Sequence, residues 1–70
     1  MKTTSVFRDV QNLVTITPNR GKGDHKRVRA NGRQTFVTWS RKDYPLWHFR
    51  KILVDELGFS EDQLPSYLRK

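Results

Sequence analysis

The pair Asn31-Gly32 constrains the fold of this chain more than any other local feature, because strand-forming residues lie on both sides of it. Asn and Gly tolerate the positive backbone φ angles of a type I′ turn, which joins two antiparallel strands through two residues. Such a turn also sets the register of the strands. Ala30 faces Arg33, and every further pair lies one residue farther out on both strands.

This register divides the side chains of the hairpin between two faces, because successive side chains of a strand point to opposite sides. The face predicted to meet the core is the more apolar one and carries Val28, Ala30, Val37 and Trp39. The opposite face carries His25, Arg27, Arg29 and Phe36. A slip of one residue would exchange the two faces, so the interpretation depends on the register.

The segment before the hairpin predicts a short amphipathic helix followed by a strand. Apolar residues recur at spacings of three and four at Val6, Phe7, Val10, Leu13 and Val14. The hydroxyls of Thr3, Thr4 and Ser5 are candidate N-caps. A β-branched, alternating run then predicts a strand from about Leu13 to Pro18, and Asn19 to Asp24 is predicted to be a loop.

The segment after the hairpin predicts a second helix and a broken tail. Asp43 or Tyr44 is the candidate cap, Pro45 falls in the first turn, and Gly58 fits the left-handed position that ends a helix. One apolar stripe follows the helix at Leu46, Phe49, Ile52, Leu53 and Leu57. A capping box at Ser60 and Gln63 starts a tail that Pro65 interrupts.

These elements predict one domain over residues 1–70, in the order helix, three strands, helix and short helical tail. We expect an α+β two-layer sandwich, with helices on one face of a three-stranded antiparallel sheet.

The charge distribution favours an anionic partner. Fourteen Lys and Arg against seven Asp and Glu give a net charge of +7. Ten of the basic residues but only two acidic ones lie between Arg20 and Lys51. A phosphate backbone suits such a surface, and the alternatives are an acidic protein partner or a cationic surface without a partner.

Composition also excludes several classes of site. The chain has no cysteine, so disulfides and thiolate metal sites are absent, and its two histidines lack a metal-ligand spacing. No apolar run approaches the roughly 20 residues of a membrane span. No secretory h-region is evident near Met1, so the cytoplasm is the expected location.

The stretch Gly21-Lys22-Gly23-Asp24-His25, which precedes Lys26-Arg27-Val28-Arg29, is the candidate working site. It joins flexible glycines, an imidazole suited to proton transfer near neutral pH, and a run of cations. His25 is the candidate general acid–base group, and Lys22, Lys26 and Arg27 are candidates to stabilise charge on a phosphate. A polar residue at the end of a loop is the alternative for His25.

From Gly21 to about Ser60, the sequence resembles that of the HicA-type (YcfA-like) toxins. The resemblance rests on Gly21 to His25, on Asn31-Gly32-Arg33, and on the run from Phe49 to Leu53 followed by Leu57-Gly58-Phe59-Ser60. It implies a fold like a double-stranded-RNA-binding domain and an mRNA interferase activity that uses His25 without a metal or cofactor. It also implies a HicB-type antitoxin that covers His25 and the basic face.

Other side chains have two open interpretations. Arg27 and Arg29 are predicted to bind RNA phosphates, with a solvated face as the alternative. Phe36 either stacks on an unpaired base or packs under the Arg27 stem. Trp47 either forms a partner-facing patch with Val54 or is buried against the first helix, while His48 is expected on the solvent side of its helix.

Two rival functions remain at this stage. One is a non-catalytic RNA-binding module, because a single histidine does not act as both base and acid in one step. The other is an antitoxin-like or adaptor protein whose basic face meets an acidic protein.

Overall fold

The hairpin at Asn31-Gly32 forms with the predicted register. The computed structural model describes residues 1–18, 25–40 and 42–70. Strands β2 (His25–Ala30) and β3 (Arg33–Thr38) are antiparallel, and Ala30 pairs with Arg33 as predicted. Asn31 and Gly32 have φ angles of 53° and 73°, which are the positive values that this turn requires.

Strand β1 (Thr15–Pro18) completes a three-stranded sheet in the order β1-β2-β3. It pairs antiparallel with β2, so that Ile16 lies opposite Val28 and Thr17 lies opposite Arg27. The strand with the most basic residues is therefore the central one.

Helix α1 (Thr3–Asp9) is shorter than the apolar spacing predicts, and turns follow it from Val10 to Leu13. The N-cap prediction was wrong, because Lys2 is the cap and Thr3 lies inside the helix. Thr3 is fully buried, and its hydroxyl donates to the Thr38 carbonyl at 3.4 Å. The Thr3 hydroxyl therefore bonds to the end of β3 instead of capping the helix.

The second helix begins at Leu46, and neither Asp43 nor Tyr44 caps it. Helix α2 (Leu46–Arg50) has Pro45 as its N-cap residue. Asp43 and Tyr44 instead extend beside the N-terminus, where the Tyr44 N–H donates to the Met1 carbonyl at 2.9 Å. The residue before a proline favours extended backbone, so Tyr44 does not begin the helix, and Pro45 itself has an extended ψ of 157°.

Helix α2 continues directly into a π-helix, Lys51–Glu56. The wider turn is visible where the Leu57 N–H donates to the Ile52 carbonyl, five residues earlier, at 3.0 Å. Gly58 then has a φ of 70°, as predicted for the residue that ends the helix, and its N–H donates to the Val54 carbonyl at 3.1 Å.

The tail is broken, as Pro65 predicts. It consists of two 3₁₀ turns, Glu61–Gln63 and Ser66–Leu68. The predicted capping box opens it, and Gln63 Oε1 accepts from the Ser60 N–H at 3.1 Å. Leu64 and Leu68 are buried, so the tail contributes to the core.

The core lies between one face of the sheet and the helices, which gives an α+β arrangement. The first helix, strands β2 and β3, the second helix and the tail all contribute, while β1 supplies only the partly buried Ile16. The buried members are Val6, Phe7, Val10, Val28, Ala30, Val37, Phe49, Ile52, Leu53, Leu57, Phe59, Leu64 and Leu68. Trp39 is partly buried against this cluster. Leu46 was wrongly predicted to belong to the apolar stripe, since it is exposed at the first turn of α2.

Among the helices that the structure describes, none has the length and apolar character needed to cross a membrane.

We expect Gly58→Ala to destabilise the protein by about 1–2 kcal/mol, because a side chain at a left-handed position brings Cβ too close to the following carbonyl. Space is not the cause, since a Cβ at Gly58 would lie an ordinary 3.5 Å from the Arg33 side chain. Urea denaturation would show a lower midpoint with an unchanged slope. Gly58→Asn is the matched control and should cost less, because Asn tolerates this conformation. Equal midpoints for wild type and Gly58→Ala would contradict the argument.

Candidate nucleic-acid interface

The face of the sheet turned away from the helices carries polar and basic side chains. We call it the open face; its described members are Thr15, Thr17, His25, Arg27, Arg29, Gln34, Phe36 and Thr38. None of them is acidic, and each is exposed or half-buried. The face therefore offers positive charge without a carboxylate beside it.

The strand pairing arranges these side chains in cross-strand rows. Thr17, Arg27 and Phe36 form the middle row, with Arg27 on the central strand. His25 and Arg29 lie two residues away on either side of Arg27 along the same strand. Alternate residues of a strand are separated by about 7 Å. The imidazole and the two guanidinium groups thus follow one line across the open face.

Arg27 is the most enclosed of the three basic side chains on this line. It is half-buried, and its Nε is buried with no hydrogen-bond partner among the described residues. An unsatisfied buried donor costs free energy. The described part of the folded chain therefore leaves one hydrogen bond of the Arg27 guanidinium unmade.

The exposure of Phe36 decides between its two predicted environments. The side chain is 58% exposed although it lies directly across from Arg27. Most of it is accordingly open to solvent and available for stacking, rather than packed beneath the arginine.

His25 lies at the start of β2 and is exposed. Its Nε2 is 3.4 Å from the Thr38 hydroxyl, across the strand pair. This contact gives the imidazole one polar neighbour on the adjacent strand. Within the part of the chain that is described, no group of histidine and carboxylate side chains is placed to hold a metal ion.

The structure separates Lys26 from the other candidates. Lys26 pairs with Val37, on the core side of the sheet, and its Nζ lies 4.7 Å from the centre of the Trp39 ring. Trp39 in turn packs against Phe7. A cation over an aromatic face is a stabilising contact. The alternation of strand faces already implied this separation, so the proximity of Lys26 to His25 in sequence was misleading.

Lys22 and the predicted loop from Asn19 to Asp24 lie outside the described residues. The prediction that Lys22 contributes to the site stays a prediction.

His48 is more enclosed than predicted. It is half-buried, and its ring stacks on Tyr44 with 4.5 Å between centroids. Its neighbour Phe49 points into the core, on the side of the sheet away from the open face. His48 therefore does not supply the second proton-transfer group that His25 would need.

Four members of the open face were not singled out from the sequence, namely Gln34 and three threonines. Thr15, Thr17 and Thr38 place hydroxyl groups around the basic line. The alternation of side chains along β1 and β3 could have placed these threonines on the open face. Threonine is common in strands whatever their function, however, so its presence did not indicate a site.

No family model, curated protein or solved structure matches the chain. The interpretation of the open face therefore depends on its own chemistry and on the resemblance of individual residues.

Two adjacent substitutions test the assignment of the faces. Phe36→Ala should change the free energy of unfolding by no more than about 0.5 kcal/mol, because Phe36 lies mostly in solvent. Val37→Ala should cost about 1.5–3 kcal/mol, because it removes buried methyl groups and leaves a cavity. Thermal or urea unfolding would measure both. A larger loss from Phe36→Ala than from Val37→Ala would show that the faces are reversed.

Proposed function

We propose that this chain is an mRNA interferase toxin of the HicA type, with a fold like a double-stranded-RNA-binding domain. Its open face would bind RNA, and His25 would help to cleave it. The observation that carries the proposal is the alignment of His25, Arg27 and Arg29 on the central strand of an uncovered face, beside the exposed Phe36.

Electrostatics supports RNA as the ligand. The open face has two arginines and no acidic member among its described residues, in a chain with a net charge of +7. Arginine forms bidentate hydrogen bonds with phosphate, and release of counterions from the backbone supplies much of the binding free energy. Contacts of this kind position the RNA without reading its sequence.

The exposed aromatic ring favours an unpaired strand. Bases inside an A-form helix are already stacked and offer no face to Phe36, whereas a splayed base does. The open face is also small, since its three strands lie about 5 Å apart. A surface of this width suits a few nucleotides, while double-stranded-RNA-binding domains contact about 16 base pairs.

The proposed chemistry is transfer of the phosphodiester to the neighbouring 2′-hydroxyl. The 2′-oxygen forms a bond to phosphorus, the bond from phosphorus to the 5′-oxygen breaks, and a cyclic phosphate and a free 5′-hydroxyl result. His25 would either accept the 2′-hydroxyl proton or donate a proton to the leaving oxygen, and solvent water would make the other transfer. Arg27 would stabilise the negative charge that grows on the phosphate.

In this proposal the toxin acts in the cytoplasm, without a metal or cofactor, and a HicB-type antitoxin neutralises it by covering His25 and the open face. The positive charge of that face suits an acidic antitoxin surface.

We expect His25→Ala to reduce RNA cleavage by about 10²–10⁴-fold, the usual contribution of a general acid–base group. Purified wild type and variant would be compared on single-stranded RNA, with growth arrest in cells as a second measurement. His25→Ala should still bind RNA, because Arg27 and Arg29 remain. Equal cleavage by the two proteins would remove His25 from the mechanism.

A non-catalytic RNA-binding module is the second candidate, and one observation favours it. Among its described members, the open face carries no second titratable group that could share proton transfer with His25. If wild type binds RNA tightly but does not cleave it, this candidate replaces the first.

Both candidates predict the same salt dependence of binding. Arg27→Gln and Arg29→Gln should each reduce the slope of log K against log salt by about 1, because each removes one phosphate contact. Arg33→Gln is the matched control, since Arg33 pairs with Ala30 on the opposite face of the sheet and should leave the slope unchanged. Fluorescence anisotropy with a labelled single-stranded RNA would measure the slopes. Equal slopes for all four proteins would show that RNA does not use the open face.

A further inference from the structure

A concave surface separate from the open face lies along α2. It is an open groove of about 330 Å³, and we call it the α2 groove; its lining residues are Trp47, Arg50, Lys51, Val54, Asp55 and Lys70. The opposite side of the same helical segment carries Phe49 and Leu53, which are fully buried in the core. The α2 groove thus faces away from the sheet, on the other side of the protein from the open face.

The groove exposes a large aromatic side chain. Trp47 is 65% exposed, and Leu46 beside it is 43% exposed. Burial of Trp47 against α1, one of its two predicted environments, is therefore wrong. Exposed tryptophan is unfavourable in water and is enriched among the residues that dominate protein–protein binding. Val54 supplies an apolar wall to the same groove.

The π-helix helps to form this groove. Four residues on consecutive turns, Arg50, Lys51, Val54 and Asp55, line the groove, and the last three of them belong to the π-helix. Such wide turns are rare, and when they occur they are frequent at functional sites.

Arg50 is already occupied by contacts inside the protein. Its guanidinium donates to both carboxylate oxygens of Glu61 and to the Leu68 carbonyl. The hydrogen bond from Arg50, together with one from the Lys70 backbone, lowers the pKa of Glu61 to about 2. Arg50 therefore holds the tail in place and is not available to a ligand.

The remaining charges favour a protein over a nucleic acid. Among the described residues, neither Lys51 nor Lys70 forms an ion pair, so both ammonium groups are available to carboxylates. Asp55 lies in the same groove and can accept a hydrogen bond from a peptide N–H, a donor that a phosphodiester group lacks. A second copy of this chain is disfavoured, because each copy carries a net charge of +7.

We propose that the α2 groove binds an acidic segment of a partner protein, with a bulky apolar side chain seated between Trp47 and Val54 and with carboxylates on Lys51 and Lys70. This site is independent of the proposed RNA site, so a partner bound there leaves the open face accessible.

The probe is a short synthetic peptide in which glutamates flank a Leu-Phe pair. In NMR titrations we expect the indole N–H signal of Trp47 to shift while that of Trp39 stays in place, which gives an internal control. Trp47→Ala should weaken binding by roughly tenfold or more, as for other interface hot spots. Peptides with Ala in place of Leu-Phe, or with Gln in place of Glu, should also bind more weakly.

Phe36→Ala separates this proposal from the proposed function. It should weaken RNA binding and leave peptide binding unchanged, while Trp47→Ala should do the reverse. An unshifted Trp47 signal at saturating peptide, or equal affinity of wild type and Trp47→Ala, would overturn the inference. So would a Trp47-dependent dimer in sedimentation, because a second copy would then be the occupant.

Discussion

The register of the β2–β3 hairpin is the constraint on which the rest of the structure depends. The turn at Asn31-Gly32 adopts positive φ angles that hold Ala30 opposite Arg33. A slip of one residue would turn Val28 to solvent and bring Arg27 into the core, where an unpaired charge is very costly. Local turn geometry and burial therefore select the same register.

The central strand serves the core and the candidate site at the same time. Val28 and Ala30 close the core from one side, while Arg27 and Arg29 point to the other side. Small domains bury a limited share of their surface, so a sheet covered on one face only leaves the core thin. The broken tail compensates in part, because Leu64 and Leu68 are buried and Arg50 ties the tail to α2.

Much of the fold could be predicted because the relevant forces act over short distances in sequence. The alternation of faces in the hairpin, the left-handed Gly58 and the break at Pro65 all follow from local backbone chemistry. The same alternation placed His25, Arg27 and Arg29 on one face. Only the predicted N-caps of α1 and α2 failed, because distant partners intervened: Thr3 bonds to the end of β3, and Tyr44 bonds to Met1.

The sequence by itself determined which side chains share a face of the sheet, since strand alternation and a two-residue turn leave one choice. Only the tertiary structure decided which faces and helix sides are covered. Phe36 and Trp47 are exposed because no described element packs over them, whereas His48 is half-buried because Tyr44 stacks on it. The π-helix from Lys51 to Glu56 also replaces part of the regular helix that the apolar stripe predicts. Exposure depends on the packing of distant segments, which local periodicity does not specify.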